Sequence, residues 1–186
     1  MAEDEAALVS RAGAGDAPAF RTLVARHLPS VVNVAVRILR DQDEAEDVAQ
    51  ETLLRLWRSA STIDVGNGGI GPWLRQVARN LAIDRWRAAR RIEPTGDVPD
   101  GETPATQFES LDEQDTAREV GAALARLPDR QRMAVVLFHF EDMSQKDVAE
   151  ALDVSEDALE SLLARARRKL KADLAGQWRE LLINRA

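Results

Sequence analysis

The sequence predicts an all-α protein: two small helical domains joined by a flexible acidic linker, with a helix-turn-helix in the second. Three observations lead there. Ala, Leu, Val, Arg, Glu and Asp dominate, while the aromatics are four Trp and four Phe with no Tyr, a mixture suited to helices more than to strands. Apolar residues recur at helical spacing through most of the 186 residues. Residues 94–111 break that period with Pro94, Pro99, Pro104, Gly96, Gly101 and many acids, as an extended linker does. The domains are therefore expected at 1–93 and 112–186.

In the first domain, DAPAFRTLVARHLPSVVNVAVRILR opens with Asp16 as a helix N-cap and Pro18 in the first turn. Phe20, Leu23, Val24, His27 and Leu28 follow at helical spacing, and Val31, Val32, Ala35, Val36 and Leu39 continue the stripe beyond Pro29. Pro29 either kinks this segment or divides it into two helices. The next helix, AEDVAQETLLRLW, has two faces: Val48, Thr52, Leu53 and Leu56 turn one way, Asp47, Gln50, Glu51 and Leu54 the other. Ser61 to Pro72 holds Gly66, Gly68, Gly69 and Gly71 and reads as a loop. From Trp73 to Arg91 runs an amphipathic helix with Arg75, Arg79, Arg85, Arg87, Arg90 and Arg91 against Asp84 alone. Trp73 and Trp86 on it are placed either to stack on unpaired bases or to fill a core.

In the second domain a helix starting near Asp112 carries Ala117, Val120, Leu124 and Leu127 in step, and Pro128 stops it or starts the next. That next helix is apolar at Met133, Val136, Leu137 and Phe140. Ser144 with Asp147 reads as a capping box before a short helix with Val148, Ala149 and Leu152 inward. After the turn LDVS, Ser155 caps a further helix with Glu156 and Asp157 in its first turn, where the macrodipole favours acids. Leu159, Leu162, Leu163, Ala166 and Leu170 line its inner side, and its later turns are basic. Two short helices across a tight turn make a helix-turn-helix, whose second helix fits the DNA major groove. Asp153 stands where such turns usually carry Gly, and Asp tolerates the left-handed backbone.

Composition narrows the function further. With no Cys, disulfides, thiol catalysis and Cys-ligated zinc are excluded. His27 and His139 lack ligand spacing and read as ordinary helix residues, so neither a metal nor a cofactor is assigned. The acids Asp41, Asp43, Glu44, Glu46, Asp47 and Glu51 lack the spacing of a calcium loop and fit a protein-contact surface or a solvated face. The net charge of -7 runs against a nucleic-acid partner, but the distribution of charge decides more than its total. No stretch approaches roughly 20 uninterrupted apolar residues, and the acidic start is unlike a signal peptide, so a cytoplasmic protein is expected. No catalytic arrangement or phosphate loop can be named, so the chain does not read as an enzyme.

The order of these motifs resembles the extracytoplasmic-function (ECF) group of bacterial sigma factors. GDAPAF, AEDVAQETLLRLW and WLRQVARNLAIDRWRAARR are similar to successive parts of sigma region 2, and LARLPDRQRMAVVLFHFEDMSQKDVAEALDVSEDALESLLARARRKL to region 4. The resemblance implies a transcription initiation factor that brings core RNA polymerase to promoter DNA, docking on the β′ clamp helices and the β flap. It implies that Asp47, Gln50, Glu51, Leu54 and Trp57 meet the clamp helices. It also implies that the basic helix meets the minus 10 element, with Arg79, Asn80, Asp84, Arg85 and Arg87 on matching positions. The charge pattern adds Arg75, Arg90 and Arg91, and stacking on unpaired bases adds Trp73. The glycine-rich loop would receive a flipped base. The helix capped by Ser155 would read the minus 35 element, with Glu160, Ser161, Arg165, Arg167, Arg168 and Lys169. Ala158, Glu160 and Leu162 depart from the Thr, basic residue and Arg common there, which implies either unusual promoter specificity or weak binding upstream. The resemblance further implies an anti-sigma factor as partner. The alternatives are a sigma-like decoy that occupies an anti-sigma factor without binding DNA, and a dimeric helix-turn-helix regulator.

Overall fold

The computed structural model describes residues 4–65, 68–92 and 120–174, and the chain falls into two compact units, Met1–Glu93 and Pro94–Ala186. Among the described residues there are helices and no strands. The expected linker at 94–111 and the helical start at Asp112 and Ala117 lie outside the described residues.

Among the described residues of the first unit there are four helices: α1 (Glu5–Gly13), α2 (Ala17–Leu39), α3 (Gln42–Ser59) and α4 (Gly71–Ile92). α2 is the central one, packed against α1, α3 and α4. The motifs of the sequence do not mark α1, although Leu8, Val9 and Ala12 keep a helical period and are all buried. Asp16 caps α2 by accepting from the Ala19 N–H at 3.1 Å. Asp41 does the same for α3 with the Glu44 N–H at 3.0 Å.

Pro29 does not divide α2, which runs unbroken to Leu39. An interior proline costs about 3 kcal/mol. Burying an aliphatic side chain returns about 1.5–3 kcal/mol, and Leu23, Val31, Val34 and Ile38 are buried on both sides of Pro29. Continuity therefore wins. The buried line after Pro29 is Val31, Val34, Ala35, Val36 and Ile38, whereas Val32 and Leu39, expected in the stripe, are part-exposed. The length and apolar composition of α2 would suffice to cross a membrane; here Ala19, Leu23, Val31, Val34, Ala35, Val36 and Ile38 are buried in the unit's core, while Leu28, expected in the stripe, is 38% exposed.

In the second unit residues 120–125 are helical, and α5 (Asp129–Val135) starts directly after Pro128. α5 runs into a π-helical turn, Val136–Phe140, closed by the Glu141 N–H donating to the Val136 carbonyl at 3.1 Å. The wider turn adds a residue to the ladder and rotates the side chains beyond it. Met133, Val136 and Leu137 are buried as expected, but Phe140 is 42% exposed, against the inward position its spacing predicts. α6 (Gln145–Leu152) and α7 (Glu156–Asp173) follow.

Asp16 yields a pH prediction. The Ala19 N–H and then the Arg11 guanidinium, 2.8 Å away, hold its carboxyl below the ordinary aspartate range. A carboxyl lowered on folding contributes stability that is present above its unfolded pKa and lost as pH falls through the folded one. D16A should therefore melt below wild type at neutral pH. The gap should close as pH falls from the ordinary aspartate value through the lowered one. Thermal melts across that window check this, and a constant gap would contradict it.

Candidate nucleic-acid interface

The first surface is on α3. Ala45, Val48, Ala49, Thr52 and Leu56 are buried, and the buried Thr52 hydroxyl donates to the Val48 carbonyl at 2.8 Å. With that stripe inside, Asp47, Gln50, Leu54 and Trp57 face solvent, and Glu51 and Leu53 lie at the edge. Leu54 is 47% and Trp57 37% exposed, and Trp57 meets the Phe20 ring edge-on at 4.9 Å between centroids. Glu51 accepts from Arg55 at 2.9 Å, which holds its carboxyl below the ordinary range. Exposed apolar side chains rimmed by charge are what a protein-docking patch offers. All five residues expected for polymerase share this face.

α4 supplies the second surface. Gly71 and Pro72, expected in the loop, form its first turn, where proline's missing N–H costs nothing. Leu74, Ala78, Ala82, Ile83 and Trp86 are buried. Trp86 is thus core, with the Arg90 guanidinium 5.1 Å from its ring centroid. Trp73 is only half-buried and keeps the stacking role open to it. Arg75, Asn80 and Asp84 are exposed, and Arg79, Arg85, Arg87 and Arg90 part-exposed, with Arg87 4.0 Å from Asp84. The Arg91 side chain lies outside the described residues.

The two surfaces meet at Arg85. Its guanidinium lies 2.7 Å from the Glu44 carboxylate and 3.6 Å from Asp47. Spacing within one helix does not show such a pair, because Arg85 and Glu44 are 41 residues apart.

The loop between α3 and α4, of which Gly66 and Asn67 lie outside the described residues, is anchored by a residue that no sequence motif singles out. Glu5 Oε2 accepts from the Ile70 N–H at 2.9 Å, and Oε1 lies 2.6 Å from His27 Nε2. Burial pushes the Glu5 carboxyl up, but the Ile70 N–H, His27 and Arg26 together hold it below its ordinary value. His27, expected to be an ordinary helix residue, has a specific partner. The acid at the start of α1 is the only signal in the sequence, and the tertiary fold alone supplies its contacts.

In the second unit, the Ser144 hydroxyl accepts from the Asp147 N–H at 3.1 Å and donates to the Asp147 carboxylate at 2.7 Å, capping α6. Asp153 turns the chain with φ 53°, in the left-handed region. Ser155 then caps α7 through the Ala158 N–H at 3.2 Å. Leu159, Leu163, Ala166 and Leu170 are buried, and Leu162 is half-buried. That arrangement exposes Ser155, Glu156, Asp157, Glu160, Ser161, Arg165, Arg167 and Arg168. Lys169 is exposed too, but its ammonium donates to the Arg126 carbonyl, and Arg126 pairs with Asp173 at 3.2 Å. Among the described residues no cluster of three His, Asp or Glu is set to hold a metal ion.

Residues 23–92 match the Sigma-70 region 2 family and residues 108–170 the Sigma-70, region 4 family. The chain is 33% identical over 177 residues to the ECF RNA polymerase sigma factor SigL of Mycobacterium tuberculosis, covering 90% of this chain and 96% of that one. It is 31% identical over 172 residues to the probable RNA polymerase sigma factor RfaY of Xanthomonas campestris, covering 88% of this chain and spanning 42% of that protein. Among solved structures it is similar to the sigma factor RpoE in complex with the anti-sigma factor NepR from Bartonella quintana. That likeness has a TM-score of 0.51 at 25% identity, over 84% of this chain and 97% of that one.

The two tryptophans of α4 are separable by experiment. W86A should lower the unfolding free energy by about 3–5 kcal/mol, as removal of a buried aromatic does. W73A should cost clearly less, because its ring is only half-buried. Urea unfolding of both variants checks this, and a larger loss for W73A would contradict the assignment.

Proposed function

The chain belongs to the ECF family of RNA polymerase sigma factors, and from that premise we propose how its surfaces divide the work. The α3 patch of Asp47, Gln50, Glu51, Leu54 and Trp57 docks on the β′ clamp helices of core polymerase. The α4 residues Arg75, Arg79, Asn80, Asp84, Arg85, Arg87, Arg90 and Arg91, with Trp73, meet the minus 10 element. The loop before α4 receives an unpaired base. In the second unit α7 reads the minus 35 element through Ser155, Glu160, Ser161, Arg165, Arg167, Arg168 and Lys169, and the unit docks on the β flap. The domains are 1–93 and 112–186, with 94–111 as the linker between them. Catalysis stays with polymerase, and the protein works in the cytoplasm.

The observation that carries this reading is that one small unit presents an acidic, apolar face on α3 beside an arginine-rich surface on α4, the two meeting at Arg85. Arginines suit phosphate and base contacts through their planar fork. Carboxylates beside exposed Leu54 and Trp57 suit a basic protein groove. An anti-sigma factor controls the protein, as the complex of the similar RpoE suggests.

One observation favours a second reading. Glu156, Asp157 and Glu160 place three exposed acids on the first turns of α7, where DNA phosphates would be repelled. A decoy that occupies an anti-sigma factor without touching DNA would carry such a helix.

In vitro transcription with core polymerase and a library of genomic fragments separates the readings. The wild-type chain should give discrete start sites, and the double variant E51K, L54A should lose about tenfold or more of that transcript, since it strips the centre of the patch. Discrete starts unaffected by the double variant would refute the α3 assignment. A folded wild-type chain giving no starts would favour the decoy.

A further inference from the structure

The loop that joins α3 to α4 is held at both ends by α1. At its beginning, Gly13 lies against the backbone where α3 ends: a β-carbon there would stand 2.7 Å from the Ser61 nitrogen and 2.9 Å from the Ala60 carbonyl carbon. At its far end Glu5 takes over. Its Oε2 accepts from the Ile70 N–H at 2.9 Å. Gly69 has φ +70°, and a β-carbon on it would overlap the Glu5 carboxylate. The Ile70 carbonyl in turn accepts from Leu74 at 3.1 Å, the bond that begins α4. A carboxylate at this point is favoured by the positive end of the α4 dipole.

The other oxygen of Glu5 is 2.6 Å from His27 Nε2 on α2. The His27 ring also borders Gly71, where a β-carbon would sit 3.5 Å from Cε1. One carboxylate thus joins α1, α2 and the last residues of the loop. The packing of α1 is secured separately by Leu8, Val9 and Ala12, all 2% exposed or less. Glu5 is not required to attach α1. Its contacts instead fall on the backbone at Gly69 and Ile70.

We propose that Glu5 is a positioning residue for promoter recognition: through the Ile70 N–H and His27 it sets the shape of the loop end at Gly68–Ile70, and thereby which unpaired base the loop accepts. This rests on the sigma-factor reading given above. The carboxylate does not touch the base. It acts through the backbone it holds, as a supporting contact orients a binding group one step removed. The amide of Gln has the same shape: its oxygen still accepts from Ile70 and its nitrogen still faces the His27 ring. Ala has neither contact.

The test is in vitro transcription by full-length chain with core polymerase on a promoter library randomised through the minus 10 element, with polymerase affinity and thermal midpoint measured in parallel. E5A should keep wild-type affinity for polymerase and lose about tenfold discrimination at one base position, the scale of one charge-assisted hydrogen bond. E5Q should restore it. E5D, which keeps the charge but holds its carboxylate one methylene short of the Ile70 N–H, should show the same single-position loss and decides the matter if E5A does not fold. Wild-type base preference in a folded, polymerase-bound E5A or E5D would overturn the proposal alone, as would a loss spread evenly over all positions. Absence of promoter-dependent transcripts with the wild-type chain would overturn the sigma-factor reading and this proposal with it.

Discussion

The packing of α4 on α2 and α3 constrains everything else in the first unit. α4 has to surrender Leu74, Ala78, Ala82, Ile83 and Trp86 to the core while carrying a run of arginines that need water or phosphate. A helix meets both demands only if its buried positions recur every three or four residues. The buried series 74, 78, 82, 86 advances four at a time and leaves Arg75, Arg79, Asn80, Arg87 and Arg90 at the surface or its edge. Trp86 lies at the end of that series, so its ring fills the core and only Trp73 near the start remains half-open.

The same packing brings α3 beside α4 and pairs Arg85 with Glu44 and Asp47. Exposed pairs of this kind contribute only about 0–1 kcal/mol. Phosphate can therefore replace the carboxylates around Arg85 at small cost, whereas the buried series that orients the helix cannot be traded. Stability comes from the apolar residues inside, Trp86 among them, and the polar exterior is free to serve recognition.

Much of this is legible in the residues. Asp16, Ser144 and Ser155 mark helix starts because each is a short side chain able to reach an N–H three residues on, and each does so. The left-handed turn at Asp153 follows from the few residue types that tolerate it. The α3 and α4 faces follow from helical period. The features that escape a reading of the sequence are tertiary. α1 is too short to announce itself, and the contacts of Glu5 with Ile70 and His27 span 65 and 22 residues of sequence. A regular period places Phe140 inward, and the π-helical turn that contains it shifts that period. Pro29 invites a break that the apolar stripe on both its sides overrides.

The central claim is that two helices of this chain, α4 and α7, address two different stretches of the same promoter. Site-specific photo-crosslinking tests it most directly. A crosslinker at Asn80 and, separately, one at Ser161 would be placed in full-length protein bound to core polymerase on a promoter found by transcription. The account predicts DNA adducts near the minus 10 element from Asn80 and near the minus 35 element from Ser161. Adducts from both positions in one region, or DNA adducts from neither in a complex that transcribes, would contradict it.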